Sequence, residues 1–144
     1  MTEQELVKIM QERGATFAPP VVVGQINLIN INLQKIHAAM LPKYMSDLYQ
    51  TCGGINLGSG YIFGPTDVKR GTKYPVPNIL KINQELTNIG ALRGKTVFGR
   101  NDLFWFAFDT FGKCTMLDNL NLEVLREYDD PYRAIYECLV GGKI

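Results

Sequence analysis

One histidine, three scattered cysteines and a set of aspartates at turn-like positions are the residues of this chain best suited to chemistry. His37 stands alone. A single imidazole cannot build a multi-histidine metal site, and no serine or cysteine motif of a nucleophilic enzyme surrounds it. Cys52, Cys114 and Cys138 are far apart and form no C-x-x-C pair, so neither a zinc site nor a disulfide framework is indicated. They read as small hydrophobes of a reducing compartment. Gly94-Lys95-Thr96 imitates the tail of a phosphate-binding P-loop. However, the glycine required five positions earlier is Ile89, and Val97-Phe98-Gly99 reads as a strand where a helix N-terminus should face phosphate. The Gly53–Gly60 stretch lacks the third glycine of a dinucleotide fingerprint and no strand is predicted before it, which leaves turn glycines. Paired carboxylates can do acid–base work without histidine. Asp102, Asp109 and Asp118 instead fall at strand ends or turns, where aspartate bonds local backbone amides. No catalytic residue, metal or cofactor is expected.

The elements that must position these residues belong to one domain. A chain of 144 residues with 46% hydrophobic and 20% charged residues is globular and long enough to bury a core without metal or disulfides. Thr2-x-x-Glu5 is a capping box, with Leu6, Ile9 and Met10 at helical spacing and Gly14 as the stop, so residues 3–13 should form a helix. Phe17-Ala-Pro-Pro-Val-Val-Val is an extended linker. Residues 25–39 fit both a helix and a strand, with the strong helix formers of 34–40 favouring helix. Pro42 opens a further helix with Tyr44, Met45, Leu48 and Tyr49 on its buried stripe, ended by Gly53-Gly54. Strands are expected at 61–63, from Thr96, at 103–109, 114–118 and 122–126, with helices over 77–89 and from Asp130-Pro131 to Gly141-Gly142. The pattern is α+β with a mostly antiparallel sheet or meander and flanking helices.

Net charge is +1, which argues against strong non-specific nucleic-acid binding. Its distribution is uneven. Seven basic residues between Lys69 and Arg100 face a single acid, Glu85, and seven acidic residues between Asp102 and Asp130 face only Lys113 and Arg126. These are two solvated faces, or an acidic surface that steers a basic partner. In Leu-Phe-Trp-Phe-Ala-Phe, alternation puts Phe104, Phe106 and Phe108 on one face and Leu103, Trp105 and Ala107 on the other. Such a strand is covered on both sides or offers one face for docking. The first ten residues lack the order of a secretory signal, and no 18 apolar residues run together, so a cytoplasmic protein is expected.

Leu41-Pro42-x-Tyr44-x-x-x-Leu48-x-x-x-Cys52-Gly53-Gly54 resembles the L-P-x-x-Y/F-x-x-x-L-x-x-x-N-G-G helix of the SUKH superfamily. The segment Val97 to Asp109, with Trp105 in its aromatic strand, resembles the start of that family's meander, and Asp130-Pro131-Tyr132-x-x-Ala134 resembles its closing helix. The resemblance covers residues 24–142 within a single domain of 1–144. Cys52 replaces the usual asparagine and Arg100-Asn101-Asp102 fills the turn before the aromatic strand, which suggests a divergent bacterial branch similar to the YrhA-type group. The family, which also includes a yeast regulator of cell-wall synthesis, implies an α+β fold and action through protein contacts. For bacterial members it implies immunity proteins of polymorphic or contact-dependent toxin systems, often opposing nucleases.

The expectation is therefore a non-catalytic module that binds and neutralises a cognate protein toxin, without membrane or direct nucleic-acid contact. Because nucleases carry basic surfaces, the acidic segment is the expected docking face. Asp102, Glu123, Glu127 and Asp129 would supply charge and Tyr128 an anchor. The basic 69–100 segment is the rival surface. An alternative from another class is a small-ligand or nucleotide-binding regulatory domain using the 53–60 loop and Lys95-Thr96.

Overall fold

The computed structural model describes residues 1–67, 76–86 and 88–141. Lys69, Arg70 and Lys73, most of the basic loop over 65–76, and Gly142 of the expected terminal stop lie outside them. The described residues form α1 (Glu3–Glu12), β1 (Thr16–Phe17), α2 (Val23–Lys35), α3 (Lys43–Thr51), β2 (Ile55–Leu57), β3 (Gly60–Ile62), α4 (Ile79–Leu86), a 3₁₀ turn (Gly90–Leu92), β4 (Lys95–Arg100), β5 (Phe104–Asp109), β6 (Cys114–Asp118), β7 (Val124–Tyr128) and α5 (Pro131–Leu139). The seven strands make one sheet in sequence order, every neighbouring pair antiparallel. The expected class is the observed one: a single-domain α+β fold.

Local chemistry explains most boundaries. Thr2 and Glu5 close the capping box of α1, with the Thr2 hydroxyl accepting from the Glu5 amide at 3.1 Å. Asp130 caps α5 by accepting from the Tyr132 amide at 3.0 Å, and Pro131 occupies the first turn, where its missing N–H costs nothing. Residues 25–39 resolve as helix, but α2 stops at Lys35 because His37 adopts a left-handed φ of 61°. The amides of His37 and Ala38 then bond the carbonyls of Gln34 and Leu33, closing the helix end. β2 was hidden among the glycines that flank it. β7 begins two residues later than expected because Leu122, also left-handed at φ 60°, still belongs to the preceding turn.

The two faces of the sheet differ. α5 lies across one face and reaches β2 through β7. Gly60 permits this approach, since a Cβ there would sit 2.7 Å from the Cys138 carbonyl oxygen of α5. Phe104, Phe106, Phe108, Met116, Cys114 and Tyr128 share this inner face through the strand register and are buried. Phe98 bulges out of the β4 register and stacks on Phe108 with centroids 5.7 Å apart. β4 runs past the end of β3, and Asn83 of α4 completes its edge. The Asn83 amide donates to the Val97 carbonyl at 2.9 Å and accepts from the Val97 N–H at 2.8 Å, doing the work of a strand partner.

Candidate interaction face

The residues that carry the family resemblance build the fold. Leu41 and Leu48 are buried, and Pro42 stands at the N-cap of α3, where only its carbonyl bonds the first turn. The Tyr44 hydroxyl donates to the Gly112 carbonyl at 2.8 Å and meets Cys114 Sγ at 3.0 Å, fastening α3 to the β5–β6 turn. Tyr49 donates to the Phe63 carbonyl inside the core. Burial holds both tyrosine hydroxyls well above their ordinary pKa, so they remain neutral donors. Gly53 and Gly54 sit where three backbone segments cross. A Cβ on Gly53 would lie 2.7 Å from the Pro19 carbonyl, and one on Gly54 would lie 3.1 Å from that of Ile62. The absence of a Cβ at both positions is what lets these segments approach. Asp109 turns its carboxylate to the amides of Phe111 at 2.8 Å and Lys113 at 3.0 Å, shaping the turn after the aromatic strand. Thr96 is buried and donates to the Ala39 carbonyl at 2.6 Å, so it is not free to bind a ligand.

The acidic candidates do not form one patch. Asp102 and Glu123 lie at one end of the meander, and Glu127 and Asp129 lie roughly 13–20 Å further along β7. Lys113 partly neutralises the second pair, 3.3 Å from Asp129 and 4.0 Å from Glu127. Tyr128 is buried against Met116 and Phe106, so it cannot be the surface anchor that its aromatic character suggested. Alternation explains the miss. Tyr128 is cross-strand from Cys114 and therefore faces α5, whereas Glu127 and Asp129 point outward.

The face turned away from α5 carries a row that crosses the sheet. Register places Asn56, Tyr61, Arg100, Trp105, Leu117 and Val124 side by side. Leu117 is fully buried, Tyr61 and Trp105 are half-buried, and Arg100 and Val124 are exposed. A shallow cleft of about 460 Å³ opens here, bordered by Tyr61, Arg100, Asp102 and Trp105.

Two turns next to this row are held rigid. Asn101 is buried, accepts from the amides of Leu103 at 3.0 Å and Phe104 at 2.9 Å, and donates to the Cys138 carbonyl at 3.2 Å. Asp118 accepts from the amides of Leu120 at 2.8 Å and Asn121 at 3.1 Å. Asn119 ties the turns together by donating to the Asp102 carbonyl at 3.1 Å. The result is a fixed edge that displays Leu103 at 59% and Leu120 at 90% exposure beside Asp102 and Glu123. No family model, curated protein or solved structure matches the chain. The surface therefore has to be read from its own chemistry. Trp, Tyr and Arg are the side chains that most often carry binding energy at protein interfaces, and here they are neighbours flanked by apolar tips and two acids.

Alternation in the sequence places Trp105 on the correct strand and face together with Leu103 but does not reveal Tyr61, Arg100 and Leu120 as its company. Tyr61 lies more than thirty residues away in sequence, and only the β3–β4–β5 register brings it alongside. The one available signal was the doubly apolar character of residues 103–108. Among the described residues, no group of three His, Cys, Asp or Glu could hold a metal ion, and no helix is long and apolar enough to cross a membrane.

Proposed function

We propose that this chain is a non-catalytic protein-binding module, an immunity protein that binds and neutralises a cognate bacterial toxin from the cytoplasmic side. The observation that carries the reading is the rigid, outward-facing edge where Trp105, Tyr61 and Arg100 meet Leu103 and Leu120. Ordering this surface costs little on binding because the side-chain-to-backbone bonds of Asn101 and Asp118 have already fixed it. The motif order over residues 41–54 and 97–109 supports the toxin-directed part of the reading. Asp102 and Glu123 flank the apolar edge and suit a basic partner surface, such as the phosphate-binding face of a nuclease. Glu127 and Asp129, remote and tied to Lys113, are left outside the contact.

The test is co-expression with a candidate toxin domain taken from the neighbouring reading frame. Wild-type chain should restore growth and co-purify with the toxin domain. Trp105→Asp should abolish both while the isolated variant stays folded by circular dichroism. Replacing Asp102 and Glu123 by lysine should slow association and reduce its salt dependence, and the same change at Glu127 and Asp129 should do neither. Full protection by Trp105→Asp, or the lack of any toxin domain neutralised by the chain, would sink the proposal.

A further inference from the structure

We infer that the cleft between the ends of α2 and α4 and the turn entering β4 is a binding site for a small organic phosphate. This rests on different residues from the interaction face and stands or falls separately. The cleft measures about 650 Å³, within the range of small-molecule sites, roughly 300–1,000 Å³. Arg93 and Lys95 line one wall, Ile36, Leu86 and Leu92 form an apolar floor, and His37 stands at the end of α2.

Among the described residues, neither Arg93 nor Lys95 is held by a carboxylate. Asp109, opposite Lys95 in the sheet, has given its carboxylate to the amides of Phe111 and Lys113. Helix ends do not consume the two cations either. The carbonyls of Leu33 and Gln34 accept from backbone amides at the end of α2, and that of Leu86 accepts from Ile89. Two cations at a cleft without a lining carboxylate suit a doubly charged head. A phosphate monoester carries about −1.5 to −2 charges at neutral pH, whereas a carboxylate carries one. The guanidinium offers a fork to two oxygens and the ammonium a point charge. Arg93 and Gly94, with φ −60° and ψ 129° followed by φ 73°, make a type II turn that sets both cations beside the opening. His37 holds a left-handed backbone that glycine would adopt without steric cost. His37 also lines the cleft, in reach to pack its imidazole on the body of the ligand.

The experiment is thermal unfolding of the full chain with adenosine monophosphate as probe, and with adenosine and inorganic phosphate as separate arms. At a roughly tenfold excess over the dissociation constant, the monophosphate should raise Tm by about 4 °C, and each arm should give clearly less. The Arg93→Ala/Lys95→Ala variant should keep its own Tm within a degree or two and lose the rise. His37→Gly should be at least as stable as wild type when free, yet show a smaller rise, which a purely structural histidine would not produce. Amide shifts of Arg93 and Lys95 on titration provide a readout independent of stability. No rise with the monophosphate, a rise that survives Arg93→Ala/Lys95→Ala, or an equal rise with inorganic phosphate alone would overturn the assignment.

Discussion

On the face turned toward α5, β5 presents Phe104, Phe106 and Phe108 at 6%, 0% and 0% exposure. On the other face the same strand presents a half-buried Trp105, preceded by Leu103 at 59% exposure. Both faces are apolar by composition; α5 covers the first, and on the second Ala107 and Leu117 are buried while the end of the strand at Leu103 and Trp105 stays partly open. The inner face owes its burial to tertiary packing, with Phe98 stacked on Phe108 and α5 seated on Gly60. The outer face keeps exposed apolar area only at its edge, where Leu103, Leu120 and Val124 are open and the turns are hydrogen-bonded in place. Apolar exposure held by buried hydrogen bonds, as at Asn101, is the combination expected of a surface shaped for a partner.

The largest expected effect tests this contrast directly. Phe106→Ala should cost about 3–5 kcal/mol, because a fully enclosed ring leaves a cavity. Trp105→Ala, with part of its ring already in water, should cost about 1–2 kcal/mol. Urea unfolding of both variants measures the difference. Equal losses would mean that Trp105 is a core residue and that the outer face is not a separate surface.

The inner face was largely legible in the sequence, and the outer one was not. The α5 stripe, the capped ends at Thr2 and Asp130, and the period-2 run of 104–108 are local signals that packing reinforced. The short β2 and the pairing of Tyr61 with Arg100 and of Arg100 with Trp105 depend on register between distant segments. No single segment encodes that register. The acidic run of 102–130 looks like one face in the sequence because proximity hides alternation and strand length. The strand separates Glu123 from Asp129, and the pleat turns Tyr128 inward.

A second, slightly smaller effect concerns the polar exception on the inner face. Arg126 reaches Glu137 of α5 at 2.5 Å, and Glu137 is only 7% exposed, with Oε2 buried and lacking a hydrogen-bond partner. Arg126→Ala would strand this carboxylate and should cost about 2–3 kcal/mol, below the full buried-pair penalty because Arg126 is partly solvated. Arg133, 3.9 Å away and more exposed, should lose under about 1 kcal/mol when truncated. If the two variants were alike, the sheet–α5 contact would not depend on the Arg126 pairing.

The buried thiols give a pH test of the core. Burial pushes Cys52 and Cys114 up from 9.0 to about 11, and raises Cys138 and Tyr49 as well. The unfolded chain releases these protons at lower pH than the folded one. The stability they contribute is therefore complete below about 9 and is lost as pH rises through about 11. Tm measured across this window should fall steadily. Cys114→Ala and Cys52→Ala should each flatten the slope, whatever they do to Tm at neutral pH. The same three thiols should react slowly with maleimide in the native state at neutral pH. Rapid labelling would show that the core opens readily.

The smallest stability effects separate the two exposed turns. Phe111 and Leu120 are 95% and 90% exposed, at opposite ends of the meander. Replacing either with serine should change stability by no more than about 0.5 kcal/mol, since neither side chain leaves water on folding. Their effects on partner binding should differ. Leu120 sits in the turn that Asn119 ties to Asp102, beside Leu103 and Trp105, whereas Phe111 sits in the turn fastened to Tyr44 at the other end. Leu120→Ser should weaken the toxin complex by several-fold while Phe111→Ser leaves it intact. The reverse pattern would move the contact to the Phe111 end, where Lys113, Glu127 and Asp129 cluster, and would restore the acidic pair that the structure sets apart from Trp105.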